Sequence, residues 1–135
     1  MIAACFQLSI LLSLIISYLS EWRENMAMSA MAIPILPGEK DLWKMEVLEK
    51  MIKLNKAETD AIREEAGVHE RTFLQETPNG DFVILTFEGE DPVAGWGKIM
   101  QSMPPELASV VAEIHGFDTD APPPPMPMLV YDSKA

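Results

Sequence analysis

The chain has 135 residues and a formal charge of -11, from 10 Lys and Arg against 21 Asp and Glu. That length supports one hydrophobic core rather than two, and the acidic balance argues against a nucleic-acid partner, which needs a basic patch to neutralise phosphates. The single cysteine, Cys5, rules out an intrachain disulfide and any cysteine-based metal site. Nine acids between Asp81 and Ala135 face only Lys98 and Lys134, which disfavours a phosphorylated ligand in that half.

From Ile2 to Leu19 the residues are almost all apolar, broken by Gln7, Ser9, Ser13 and Ser17. A helix of that length spans about 27 Å, marginal for a bilayer. No basic residue precedes Arg23, and "EWREN" separates the run from Ala30 and Ala32, so the pattern of a cleaved signal is weak. Three readings stand: an extension from an upstream start codon, with the protein proper beginning at Met26 or Met28; a membrane anchor; a signal. Residues 1–25 are therefore set apart from a single α+β domain over residues 26–135. The first reading makes the protein cytoplasmic, the second anchors it through residues 2–19, and a membrane is a partner only if that segment is retained.

"MSAMAIPIL", Met28 to Leu36, reads as a strand, and Pro34, which cannot donate to a ladder, favours an edge or a bulge. From Glu39 to Ala66 the pattern is helical, with Leu42, Met45, Leu48, Met51, Ile52 and Ile62 at three- and four-residue steps, a bend or break near Asn55, and Gly67 at the left-handed position beyond the end. Two strands follow, Val68 to Thr77 and Asp81 to Glu88, joined at Asn79-Gly80. With those two as the loop, Gln75 faces Ile84, Phe73 faces Thr86, Arg71 faces Glu88 and His69 faces Glu90, while Val68, Thr72, Leu74, Val83, Leu85 and Phe87 gather on the other side. Asp91-Pro92 is an N-cap and first-turn proline opening a helix through Trp96 and Met100, which Gly95 and Gly97 weaken. A last helix runs from Pro104-Pro105 to Gly116. After "APPPPMP", a stiff connector, Met128 to Tyr131 are expected to return as a final strand. This order is the split βαββαβ plan of a ferredoxin-like fold, with an antiparallel sheet and the helices on one face.

On these elements, "MAIPILPGE", "ERTFLQETPNGDFVILTFEGEDP" and "EIHGFD" resemble an uncharacterised bacterial family of the dimeric α/β-barrel superfamily, related to antibiotic-biosynthesis monooxygenase-like and EthD-like proteins. The resemblance covers about Met28 to Asp132. It implies a homodimer in which two sheets pack face to face, and a small pocket in each protomer between sheet and helices. It supplies no catalytic residue.

The hairpin's second face is too apolar for water at Phe73, Phe82 and Ile84, and too polar for an ordinary core at His69, Arg71, Gln75, Thr86 and Glu88. Two readings remain open: a face covered by a twin subunit, with Arg71 and Glu88 paired at the seam, or a ligand site built from Arg71, Phe73, Gln75, Thr86 and Glu88 with Trp96. The two histidines, His69 and His115, are the candidate acid/base groups. His115 lies in a last helical turn, where an imidazolium complements the dipole and bonds free carbonyls. Glu70, on the apolar side of its strand, is a further acid/base candidate if buried. No HxxxH or HxH spacing marks a metal site, no GxSxG a serine nucleophile, and "GWGK" lacks the full dinucleotide fingerprint, so no cofactor is expected. The expected function is binding of a small apolar or aromatic molecule between sheet and helices, in a pocket containing Arg71 and at least one histidine. The alternative is a cofactor-independent monooxygenase or isomerase using a histidine as acid/base.

Overall fold

A computed structural model describes residues 2–24, 26–118, 120–122 and 124–135, with the side chains of residues 2–6 and 19–24 left aside. The start-site question at Met1, the Cys5 side chain and Pro123 of the proline run lie outside the described residues.

Helix α1 (Ile2–Glu24) is exposed wherever its side chains are described. Among the described residues, no helix is long and apolar enough to cross a membrane. Strand β1 (Ala27–Ile35) follows, then α2 (Lys40–Trp43), which runs directly into a π-helix (Lys44–Leu54), and α3 (Lys56–Glu65). The hairpin is β2 (Val68–Thr77) and β3 (Gly80–Gly89), and α4 (Pro92–Ser102) and α5 (Pro105–His115) complete the order. The sheet is antiparallel and three-stranded, β1-β3-β2. With α2 to α5 and the π-helix against one face, this is an α+β architecture compatible with the ferredoxin-like plan.

Alternation decides the faces. Ile33 and Ile35 of β1, Val68 of β2, and Val83, Leu85 and Phe87 of β3 point to the helices and are buried. They meet Trp43, Val47, Ile99 and Ile114, and the Phe87 ring lies 5.1 Å from that of Trp96. Pro34 sits where its missing N–H costs nothing: β1 is an edge strand, paired only with β3.

The expected break falls at Asn55, whose backbone N–H and side-chain amide both donate to the Lys50 carbonyl, at 3.2 and 2.9 Å. Thr59 Oγ1 donates to the Met51 carbonyl at 2.8 Å, so carbonyls freed at the break regain donors. Gly67 and Gly116 take φ of 73° and 72°, as a left-handed helix end requires. Asp91 caps α4 by accepting from the Ala94 N–H at 3.0 Å. Gly95 does more than weaken that helix. A Cβ there would lie 2.3 Å from Val68 Cγ1 and 3.0 Å from the Ala66 carbonyl, so the glycine is what lets α4 approach the start of β2.

Two expectations are corrected. The hairpin loop is Pro78-Asn79, with Thr77 opposite Gly80, because Pro78 presets the turn's negative φ and Gly80, at φ 135°, takes the positive one. Gln75 thus faces Phe82, Phe73 faces Ile84, Arg71 faces Thr86 and His69 faces Glu88, a shift of two residues that leaves the faces unchanged. The second concerns Met128 to Tyr131, which form no strand and lie exposed, Val130 at 85%. Among the described residues β1 has no strand beyond it, and the end of α5 bonds its edge instead, with the Leu36 N–H donating to the Ile114 carbonyl at 2.9 Å.

Candidate functional site

Between sheet and helices lies a crevice of about 630 Å³. Helix α2 packs on α5 and α3 packs on α4, and the crevice opens between those contacts. Its floor is Ile33, Val83, Leu85 and Thr72 of the sheet. One wall is the π-helix, which presents Glu46, Lys50, Met51 and, just beyond it, Asn55. Steps of four and five keep these on one side of a helix whose hydrogen bonds span five residues rather than four, as the Asn55 N–H to Lys50 carbonyl bond does. Opposite stand Trp96, Ile99 and Met100 of α4 and Leu107, Val110 and Val111 of α5.

Besides Glu46, Lys50, Asn55, Glu58 and Glu106, two polar features of this lining are largely buried. Arg63 Nε donates to Glu70 Oε2 at 2.6 Å, and Thr72 Oγ1 donates to Glu70 Oε1 at 3.0 Å. Their side chains are only 16% and 12% exposed, for Arg63 and Glu70 respectively. Alternation along β2 turns Glu70 inward, and the last turns of α3 bring Arg63 over it. Arg63 makes no further hydrogen bond among the described residues, so its outer guanidinium nitrogens remain free to donate.

His115 is the second feature. It is buried, lines the crevice and stacks obliquely near Phe117, with ring centroids 5.6 Å apart. Its Nδ1 lies 2.8 Å from the Pro34 carbonyl of β1. A carbonyl only accepts, so Nδ1 carries the proton, and in the neutral ring Nε2 is then an acceptor. Burial lowers the His115 pKa from its ordinary value and outweighs the opposing pull of the Pro34 carbonyl. The ring is therefore neutral at neutral pH and bonds across to β1, where sequence reasoning expected an imidazolium on its own helix's carbonyls. Among the described residues the one buried side-chain polar atom without a partner is Ser29 Oγ. Nε2 of His115 has no protein partner either, but it is not among the fully enclosed atoms, and its residue lines the crevice.

The residues singled out from sequence fall in two places. Trp96 and His115 are in the crevice. Arg71, Phe73, Gln75, Thr86 and Glu88 lie on the opposite face of the sheet, with Phe73 at 51% exposure. Arg71 Nη1 meets Glu88 Oε2 at 3.3 Å, now as a diagonal rather than a directly opposed pair. His69 is exposed, across from Glu88, and borders a second crevice of about 690 Å³ at the β2 edge together with Arg63, Glu70 and Thr72. The arginine in the crevice is Arg63, not Arg71. Sequence reasoning passed over Arg63, although the inward acid at position 70 was a signal that some cation had to meet it. Among the described residues no cluster of His, Cys, Asp and Glu is placed to hold a metal ion.

Comparison with protein-family models, with curated proteins and with solved structures found no match.

Proposed function

We propose that this chain binds a small apolar or aromatic molecule in the crevice between its sheet and helices, and that it does so as a homodimer joined through the outer face of the sheet. The observation that carries the first part is the crevice: its volume falls in the range of small-molecule sites, and most of its wall is aromatic, aliphatic and methionine side chains, with charged residues such as Glu46, Lys50, Arg63 and Glu70 among them. Methionines such as Met51, Met100 and Met103 adapt their shape to a ligand at little cost. Support for the dimer comes from the outer face, where Phe73, Phe82 and Ile84 sit among Arg71 and Glu88 and Phe73 stays half exposed among the described residues.

A second reading, a cofactor-independent monooxygenase or isomerase, is favoured by His115 alone. A neutral imidazole in the lining of the crevice, its Nε2 without a protein partner, has the chemistry of a general base. His69 does not line this crevice.

Nile red, an uncharged dye, tests the binding reading. Saturable binding with a blue-shifted emission is expected from the folded chain, and Val111→Trp, which fills the crevice, is expected to abolish it while Phe73→Lys leaves it in place. Binding that survives Val111→Trp and disappears with Phe73→Lys would locate the dye on the outer face and reject the crevice.

A further inference from the structure

Resting on the crevice reading, the polar groups in its wall narrow the ligand. The geometry points to an uncharged aromatic ligand bearing a hydroxyl that donates to Nε2 of His115 and a carbonyl that accepts from the outer nitrogens of Arg63.

The hydroxyl follows from the tautomer. Pro34's carbonyl takes the one proton of the neutral ring at Nδ1, so whatever meets Nε2 in the crevice must bring its own proton. An ether, a ketone or a carboxylate set there would oppose one acceptor with another. The same orphan acceptor makes a plain hydrocarbon a poorer fit, because closing an apolar surface over Nε2 removes its access to water without replacing the bond.

The absence of charge follows from the ionic groups around the crevice, which are Glu46, Glu58, Glu70 and Glu106 against Lys50 and Arg63. Both cations are already engaged: Lys50 with Glu46 at 3.0 Å and Arg63 with Glu70 at 2.6 Å. Glu58 and Glu106 are left over, and the chain as a whole carries -11, so an anionic ligand meets repulsion at the mouth and no spare positive charge within. A neutral carbonyl asks for less. Arg63 has five N–H donors and spends one, at Nε, on Glu70; the others can bond a carbonyl while the ion pair stays intact.

Calorimetric titration of the full chain near neutral pH, with para-hydroxybenzophenone, para-methoxybenzophenone, diphenylmethane and para-benzoylbenzoate, tests this. The hydroxy ketone is expected to bind at least about tenfold more tightly than the methoxy ketone, since the swap removes a hydrogen bond and leaves a buried acceptor unpaired. Diphenylmethane, lacking both polar groups, and the carboxylate are expected to bind more weakly still. His115→Asn keeps a side-chain N–H for the Pro34 carbonyl but has nothing at the Nε2 position, and should erase the preference for hydroxyl over methoxy. Equal binding of the hydroxy and methoxy ketones by the native chain would overturn the proposal, as would a preference that survives in a folded His115→Asn variant or a carboxylate that binds best. If all four probes bind alike, the crevice reading stands and this one fails; if none binds while Nile red also does not, both fail.

Discussion

Two glycines in α4, two residues apart, should respond to the same substitution with opposite sign. At Gly97 an added Cβ meets nothing within 4 Å, so Gly97→Ala only removes the entropic penalty of glycine in a helix and should stabilise by about 0.5–1 kcal/mol. At Gly95 the same gain is offset by overlap. The added carbon would sit 2.3 Å from Val68 Cγ1, well over 1 Å inside the ~3.5–4.0 Å of carbon contact. Val68 is buried and β-branched, with little rotamer freedom to yield, and the second obstacle, the Ala66 carbonyl at 3.0 Å, is backbone. Overpacking of this kind costs about 1–3 kcal/mol; with two unyielding neighbours the upper half of that range applies, leaving Gly95→Ala destabilised by about 1–2 kcal/mol after the helical gain. Urea denaturation of the two variants beside the parent should separate them by about 2–3 kcal/mol. The consequence reaches the crevice, because α4 carries Trp96, Ile99 and Met100 into its wall. Gly95→Ala as stable as Gly97→Ala would show that α4 does not depend on this close approach.

Three further outcomes follow from the same geometry. Because burial lowers the His115 pKa, the unfolded chain binds a proton there more readily than the folded one. Stability from this group is therefore intact above the ordinary value of about 6.5 and is lost as pH falls below it, and His115→Asn should remove that part of the acid sensitivity in denaturation curves taken between neutral pH and mild acid; identical pH profiles would contradict it. Arg63→Met leaves Glu70 buried without its cation and should cost about 3–5 kcal/mol, whereas Arg63→Met with Glu70→Leu should recover most of the loss; a double variant no more stable than the single one would show that the pair itself, not the orphaned charge, matters. Phe73→Lys should convert a dimer to monomers in light scattering, and a monomeric parent chain would remove the dimer proposal.

Much of the fold is legible from local chemistry. The break at Asn55, the left-handed glycines, the Asp91 cap and the inward and outward sides of the hairpin follow from single residues or from alternation, which a two-residue shift in register cannot disturb. The shift itself was hidden because Pro78 and Asn79-Gly80 are both good turn formers, and only their competition decides the loop. The π-helix left no mark either. Its apolar positions Leu48, Met51 and Ile52 suit α-helical steps equally well, so the longer hydrogen-bond step has no signature in the pattern. Met128 to Tyr131, four apolar residues after a proline run, satisfy strand propensity, yet pairing is a long-range property that propensity does not supply. In the candidate site, His115 stands out as one of only two histidines and Trp96 as an aromatic on a helix that packs on the sheet, although the helix end offers His115 a capping role as well. Arg63 was not, because it lies in a stretch with Asp60, Glu64 and Glu65 that reads as a solvated helix face.

The crevice is most directly tested by nuclear magnetic resonance of carbon-labelled methionine methyls during titration with para-hydroxybenzophenone. Met51, Met100 and Met103 line the crevice, while Met28 on the sheet's outer face and Met128 near the C-terminus are exposed. Occupancy between sheet and helices predicts shifts at the first three and none at the last two. Shifts confined to Met28 and Met128, or no shift at any methionine, would contradict a ligand site in the crevice.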